Sequence, residues 1–341
     1  MVSHKKTSAC QVFDTSKYLL KNSKIDIIKK EVLMNKVVIV GCGNVGMAYA
    51  YSLVISGSFV DELVLIDINK QKAEGEALDL NHAVSYAPKN IKIKAGDYSD
   101  CEGAKIVCIS AGVPQLPGET RTDLLAKNAD VFCSIIKQIK KTSFNGIFLI
   151  TTNPLDTMTY ITKLVSQFPE NKVFGSGTTL DTARLKFMVA DILKINAKDV
   201  HGYVLGEHGD SEFVAWNNVF IGGNSATNWL SQNDMSKINY DVKNSAYDII
   251  NKKGNTAYGI GMCLLGITDA ILNDEKKILT VSCYSKEHDC YFSKPCIIGK
   301  RGVEKQLNID LSPKDNARLL DSIAKLQDDK RLIVARLRNQ K

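Results

Sequence analysis

The chain has 341 residues, of which 44% are hydrophobic and 24% are charged. These proportions are typical of globular proteins and exclude a disordered, collagenous or coiled-coil chain. The length predicts about two domains, at roughly 150 residues per domain. The formal net charge is +7. Because the basic residues are scattered through both halves, we expect no nucleic-acid partner.

The N-terminal segment is the most basic part of the chain, since residues 1–33 contain seven Lys and three acidic residues. It lacks the apolar core of a signal peptide and the Arg-rich composition of a mitochondrial leader. We therefore expect residues 1–34 to be a flexible arm or an over-long start. The nine cysteines form no C-x-x-C pair, which predicts a cytoplasmic protein without disulfides or a metal site.

Strand and helix patterns alternate in the first half. The predicted strands are 36–40, 63–66, 91–94, 105–110 and 147–151, and the predicted helices are 45–56, 71–84 and 123–140. The strands are apolar on consecutive residues, as in a parallel sheet covered on both faces. Residues 37–60 carry no charge over 24 positions, but glycines and serines interrupt them, so we predict a strand, a turn and a helix and no membrane partner.

The regular alternation of strand and helix patterns ends after residue 175. We predict helices at 180–194, 237–251 and 257–272, a strand at 201–205, and short strands at 280–284 and 290–298. A final helix begins at Ser312-Pro313, with Ser312 as its N-cap. The two halves therefore predict an α/β protein: a Rossmann-type doubly wound parallel sheet over residues 35–175, and a second, α+β catalytic domain over residues 176–341.

A glycine-rich turn follows the first strand and opens the first helix. Its residues are Gly41, Cys42, Gly43, Asn44, Val45 and Gly46. This G-x-G-x-x-G spacing in a strand–turn–helix context is typical of a dinucleotide site, with the pyrophosphate at the helix N-terminus. Asp67 lies 21 residues after Gly46, at the end of the second strand. A carboxylate there binds the ribose hydroxyls and repels a 2′-phosphate, which favours NAD over NADP.

One histidine lies in a setting suited to proton transfer. His208 follows a predicted strand in the polar loop Gly206–Asp210, and imidazole titrates near neutral pH. Asp181 and Arg184, three residues apart on one helix face, offer an orienting carboxylate and a cation. The loop from Gln115 to Arg121 follows the fourth strand at its carboxyl end, where open α/β sheets bind ligands.

Several motifs together resemble the L-lactate and malate dehydrogenase family, and most closely its bacterial L-lactate dehydrogenases. They are the glycine turn, Val64–Asp67, Gly118–Arg121, Thr152–Pro154, Gly175–Gly177, Leu180–Arg184 and Gly206–Asp210. They occur in the family's order over about residues 35–335. The resemblance implies an NAD-dependent L-lactate dehydrogenase that reversibly reduces pyruvate to L-lactate.

The resemblance also implies residue roles. The implied catalytic residues are His208, the general acid/base, with Asp181 and Arg121. The implied substrate contacts are Arg184, Gln115, Asn153 and Thr256. The implied NAD contacts are Gly41, Gly43, Asn44, Val45, Gly46, Asp67, Asn153 and Ser176.

Substrate choice depends on Gln115 by this resemblance. Malate dehydrogenases of the superfamily have Arg at the matching position, where it pairs the second carboxylate of oxaloacetate. A neutral amide cannot pair that charge, which favours pyruvate. Malate dehydrogenase and branched-chain L-2-hydroxyacid dehydrogenase are the alternatives within the family.

Assembly and regulation are further implications of the family. A homotetramer is expected, and fructose 1,6-bisphosphate is a candidate activator that would bind Lys186 and His201. Lys186 stands where relatives carry Arg, so bidentate phosphate binding is lost. Two other hypotheses stay open: a dinucleotide-binding protein without catalysis, and a nucleic-acid or membrane-surface binder acting through the basic arm.

Overall fold

The structure is a computed structural model that describes residues 34–113 and 121–339. Residues 1–33 of the expected arm, Gln115, and the side chain of Arg121 lie outside the described part. The strands are β1 (Lys36–Val40), β2 (Glu62–Ile66), β3 (Lys92–Ala95), β4 (Ile106–Ile109), β5 (Ile147–Ile150), β6 (Val173–Gly175), β7 (Val200–His201), β8 (Val204–Leu205), β9 (Phe213–Val214), β10 (Phe220–Ile221), β11 (Asn224–Ser225), β12 (Lys277–Ser285), β13 (Cys290–Gly299) and β14 (Gly302–Gln306). The α-helices are α1 (Asn44–Ile55), α2 (Lys70–Val84), α3 (Arg121–Ile139), α4 (Leu155–Ser166), α5 (Thr179–Leu193), α6 (Gln232–Lys253), α7 (Tyr258–Leu272) and α8 (Pro313–Asn339).

A nine-stranded sheet organises the fold, and six of its strands are parallel. Their order across the sheet is β3-β2-β1-β4-β5-β6. The chain reverses its direction of travel across the sheet between β1 and β4, which opens a crevice at the carboxyl ends of these strands. The predicted Rossmann-type parallel sheet is therefore confirmed.

The C-terminal half adds three antiparallel strands to the same sheet. Ser282 of β12 pairs with Gly175 of β6, and β13 and β14 continue outward. Strands β12 and β13 are nine and ten residues long, longer than the short strands predicted, and β14 was not predicted. Cross-strand hydrogen bonds extend them into polar residues, such as Lys277 and Ser285, that carry no apolar signal.

The predicted strand at 201–205 is two strands in different sheets. Strand β7 pairs with β10, whereas β8 pairs with β9. Gly202 separates them, and a Cβ added to it would lie 2.9 Å from the side chain of Val219. The close approach of Val219 therefore requires a glycine at this break.

Helix α4 is absent from the predicted elements. Its threonines lower intrinsic helix propensity because their side chains are β-branched. Thr159 and Thr162 are fully buried, and each hydroxyl donates to the carbonyl four residues earlier at 2.8 Å. Burial against the sheet, rather than propensity, therefore stabilises this helix.

Alternate residues of the central strand enter two cores. Val37 and Ile39 pack with residues of α1 and α7, whereas Val38 and Val40 pack with residues of α3 and α4. Both faces are thus apolar, which explains the unbroken apolar runs in the sequence. Within residues 34–113 and 121–339, no helix is long and apolar enough to cross a membrane.

Two glycines shape the turn between β1 and α1. Gly41 has φ +107°, and a Cβ there would lie 2.5 Å from the backbone nitrogen of Ala111. A Cβ on Gly46 would lie 2.1 Å from the carbonyl oxygen of Gly41. Gly41 therefore permits the turn, and Gly46 permits the close packing of α1 on the strand.

Alanine at Gly46 should destabilise the protein, whereas alanine at Gly75 should not. A Cβ on Gly46 meets rigid backbone, so we expect Gly46→Ala to lower the free energy of unfolding by about 1–3 kcal/mol. Gly75 lies inside α2 with no neighbouring atom within 4 Å of an added Cβ, so Gly75→Ala should raise stability by about 0.5–1 kcal/mol. Denaturant unfolding of both variants measures this; equal effects would refute the packing argument.

Candidate active site

Asp67 lies at the end of β2 beside the glycine turn. Its Oδ2 accepts a hydrogen bond from the backbone N–H of Cys42 at 2.7 Å, and its Oδ1 accepts from the N–H of Asn69 at 2.9 Å. Both bonds hold the carboxylate at the mouth of the crevice, in the position that the sequence predicts for a ribose ligand.

The glycine turn leaves room for a phosphate group. A Cβ added to the exposed Gly43 would meet no atom within 4 Å. Helix α1 begins directly after it at Asn44, with no side-chain cap and no acidic residue in its first turn. Its first N–H groups, including that of Val45, therefore suit an anion. The residues present thus fit a dinucleotide pyrophosphate.

His208 is paired with a buried carboxylate. Its Nδ1 lies 2.7 Å from Oδ2 of Asp181, which is 1% exposed. The guanidinium of Arg184 donates to Oδ1 of the same carboxylate at 2.7 Å. The helix α5 carries Asp181 in its first turn and Arg184 one turn later, so i,i+3 spacing brings the ion pair together. The imidazole is 24% exposed, and its Nε2 has no hydrogen bond to the residues that the structure describes.

Electrostatics favour the charged form of both partners. Burial lowers the pKa of His208, but the charge of Asp181 and its hydrogen bond outweigh burial and raise the pKa from 6.5 to about 9. Burial raises the pKa of Asp181, but the positive charges of His208 and Arg184 hold it below its usual range. The pair is therefore imidazolium and carboxylate at neutral pH.

Three elements hold the loop that carries His208. Gly206, at φ +93°, exchanges two backbone hydrogen bonds with Ser293 of β13. The next N–H, that of Glu207, donates to the hydroxyl of Ser322 on α8 at 2.7 Å. The N–H of His208 itself donates to Oδ2 of Asp156 on α4 at 2.8 Å. The imidazole position is thus set by backbone contacts as well as by Asp181.

Asp156 connects the two halves of the chain. It is 2% exposed and also accepts a hydrogen bond from the hydroxyl of Ser282 on β12. Burial raises its pKa from 3.8 to about 6, although both donors oppose the rise. Sequence reasoning missed this residue, although an acid two residues after Asn153-Pro154, in an apolar and threonine-rich segment, is a usable signal.

The remaining predicted residues lie on several elements. Asn153 is exposed just beyond the carboxyl end of β5, and Ser176, 3% exposed, follows β6. Thr256 is half-buried shortly before α7, whose Gly259 approaches the side chain of Leu180, the neighbour of Asp181.

Asn128 on α3 was also missed by the sequence reasoning. It is 1% exposed, accepts from the N–H of Val113 at 2.8 Å and donates to the carbonyl of Asn153 at 3.1 Å. Its amide therefore joins the segment at Val113, which precedes the expected substrate loop, to the segment at Asn153.

The two predicted effector ligands lie on different elements, Lys186 on the helix that carries Asp181 and His201 on β7. Lys186 is half-buried on α5, where burial and the charge of Lys277 lower its pKa. His201 is exposed on β7. The proximity of two lysines gives this surface local positive charge.

Two family profiles cover most of the chain. Residues 35–175 match the profile described as lactate/malate dehydrogenase, NAD binding domain, and residues 178–337 match lactate/malate dehydrogenase, alpha/beta C-terminal domain. The L-lactate dehydrogenase 2 of Bacillus cereus (strain ZK / E33L) is 45% identical over 305 residues, which cover 86% of this chain and 97% of that protein. The L-lactate dehydrogenase 1 of Bacillus anthracis is 44% identical over the same shares.

Solved structures agree with these matches. MGS-M5, a lactate dehydrogenase enzyme from a Medee basin deep-sea metagenome library, has a TM-score of 0.86 at 42% identity, covering 88% of this chain and 99% of that chain. The minor L-lactate dehydrogenase from Enterococcus mundtii in its ligands-bound form has a TM-score of 0.86 at 40% identity, covering 87% and 98%. The predicted resemblance and the predicted NAD cofactor are thereby confirmed, and the chain belongs to the lactate/malate dehydrogenase family.

Proposed function

We propose that this protein is an NAD-dependent L-lactate dehydrogenase, which reversibly reduces pyruvate to L-lactate. The observation that carries the proposal is the 2.7 Å contact between Nδ1 of His208 and Asp181, in which the imidazole stays 24% exposed. The names of the relatives support the choice of substrate. The direct test is NADH oxidation with pyruvate by the purified protein; absence of turnover would refute the proposal.

His208 is the proton donor in this mechanism. Its Nε2–H would protonate the carbonyl oxygen of pyruvate; NADH, when bound, would be the source of the hydride. Asp181 keeps the ring in the tautomer that presents Nε2 and stabilises its charge. In the reverse direction, neutral His208 takes the hydroxyl proton of L-lactate.

Arg184 and Arg121 act on the two ends of the substrate. One N–H of Arg184 is bound to Asp181, so its remaining donors hold the substrate carboxylate as a planar fork. Arg121 polarises the carbonyl where negative charge develops. Asn153 contacts the nicotinamide ribose and the substrate, and Thr256 lines the pocket.

The two halves of the chain have different roles in the proposed mechanism. Residues 35–175 bind NAD through the glycine turn, Asp67, Asn153 and the adjoining Ser176, which begins the second half. Residues 176–341 hold the substrate and the Asp181–His208 pair. A cytoplasmic location is part of the proposal, supported by eight free cysteines among the described residues.

Removal of the charge at Asp181 should slow the chemical step. We expect Asp181→Asn to lower kcat/KM for pyruvate at least about a hundredfold with little change in NADH binding, because the imidazolium loses its partner. The pH above which pyruvate reduction declines should also fall, since Asp181 is what raises the pKa of His208 to about 9.

Asp191→Asn is the matched control for this variant. Asp191 lies on the same helix, is exposed, and pairs with Lys194, so its loss should change neither kcat/KM nor the pH profile. Full pyruvate turnover in Asp181→Asn would contradict the assigned role.

A second carboxylate in the substrate should be accepted once Gln115 is replaced by Arg. The neutral amide of Gln115 leaves the second carboxylate of oxaloacetate unpaired. Burial of that unpaired charge costs several kcal/mol, which corresponds to on the order of a thousandfold in selectivity. We expect Gln115→Arg to move the kcat/KM ratio towards oxaloacetate, with Gln115→Asn as the neutral control. An unchanged ratio of the two oxoacids in Gln115→Arg would exclude this residue as the determinant.

The assembly proposed is a homotetramer, and fructose 1,6-bisphosphate is the proposed effector. Lys186 and its neighbour Lys277 form a positive surface whose mutual repulsion a phosphate would relieve. We expect the bisphosphate to raise activity at low pyruvate, and Lys186→Gln to abolish that response. Activation that persists in Lys186→Gln would rule out this site.

A further inference from the structure

Glu212 is a buried carboxyl group that the mechanism above does not use. It is 2% exposed, and its Oε2 lies 4.0 Å from Nδ1 of His208, four residues earlier in the chain. Ligand atoms of Glu212, Asp181 and His208 all lie within 4.8 Å of one another. Two carboxyl groups and one imidazole therefore share a single interior site.

A proton on one of the two carboxyl groups is favoured, because burial and the neighbouring negative charge both raise a carboxyl pKa and outweigh the opposing charges of His208 and Arg184. Asp181 is the ionised one, since its Oδ1 accepts from Arg184 and its Oδ2 faces His208, both at 2.7 Å. Burial and the negative charge of Asp181 raise the pKa of Glu212 well above its usual value. The proton is therefore assigned to Glu212.

The same three residues place ligand atoms within 4.8 Å of one another, a spacing that a metal ion could also bridge. However, both oxygens of Asp181 are already engaged with cationic side chains. Bound donors of this kind compete with a metal for the carboxylate lone pairs. A shared proton is the occupant that these contacts favour.

The charged groups around Glu212 do not change the assignment of the proton to Glu212. A cavity of about 260 Å³ adjoins it and is lined by Lys243 and Arg318, with Asp321. Lys243 donates to the carbonyl of Asp210 at 3.1 Å, and Arg318 donates to Asp315 at 3.2 Å. Both side chains therefore have hydrogen-bond partners other than Glu212. On the side of His208, Asp156 adds a further acidic group and Glu207 is paired with Lys325.

We propose that Glu212 is a positioning residue that, as a neutral carboxylic acid, donates its O–H to Asp181 and weakens the hold of Asp181 on the proton of His208. Its place in the reaction rests on the proposed function. Pyruvate reduction needs the imidazolium form and lactate oxidation needs the neutral form. A hydrogen-bond donor to Asp181 lowers the basicity of that carboxylate. Both the imidazolium and the neutral form of His208 therefore stay accessible.

The test is the titration midpoint of His208, followed by the ¹⁵N resonances of its ring in the NADH complex of the full chain. Loss of the O–H donor makes Asp181 a stronger hydrogen-bond acceptor for His208. Glu212→Ala should therefore raise the titration midpoint of His208 by about one pH unit, which corresponds to the free energy of one charge-assisted hydrogen bond. Glu212→Gln, whose amide still donates, should lie nearer the unchanged protein. Asp321→Asn, which changes another acidic residue that lines the cavity, is the control and should not shift the midpoint. A downward shift in Glu212→Ala would mean that Glu212 is an anion, and no shift would mean that it does not act on His208; either result overturns the proposal.

A second measurement covers a Glu212→Ala protein that does not fold. The infrared difference spectrum between the unchanged protein and Glu212→Gln at neutral pH should contain the C=O stretch of a protonated carboxyl group. Its absence would overturn the proposal. Neither measurement requires turnover, so a protein that does not reduce pyruvate would refute the proposed function and leave the state of Glu212 decided independently.

Discussion

The contact between Asp181 and His208 is the interaction on which the rest of the site depends. A carboxylate that is 1% exposed is strongly disfavoured unless its oxygens are hydrogen-bonded to cations. Here the imidazole and the guanidinium of Arg184 satisfy one oxygen each. The same two contacts keep the imidazole protonated and leave Arg184 with donors for an anionic ligand. The interactions that stabilise the site are therefore also those that its chemistry needs.

The fold meets this requirement by holding the His208 loop from several directions. Backbone groups of the loop bond to β13, to α8 and to Asp156 on α4. Asp156 belongs to the half of the chain that forms the parallel sheet, whereas His208 belongs to the other half. The buried carboxylate therefore positions the imidazole relative to the crevice in which a dinucleotide fits. Rigid support of this kind is what proton transfer at a defined distance needs.

Local patterns predicted the parallel sheet, the glycine turn and the histidine loop because each depends on neighbours close in sequence. Gly41, Gly46 and Asp67 lie within one strand–turn–helix–strand unit, and Asp181 and Arg184 lie within one helical turn. Features that depend on distant contacts were missed: the buried threonines of α4, the polar extensions of β12 and β13, and the carboxyl groups Asp156 and Glu212. For these residues, burial and long-range hydrogen bonds override the local preference, which a single sequence does not display.

The most direct test of this account is a crystal structure of the protein with NADH and oxamate, the monoamide of oxalate, which is isosteric with pyruvate. The account predicts Nε2 of His208 at hydrogen-bond distance from the amide-end carbonyl oxygen of oxamate, with Arg184 on the carboxylate and Asp181 still bound to Nδ1. An imidazole turned away from the bound oxamate, or detached from Asp181, would contradict it.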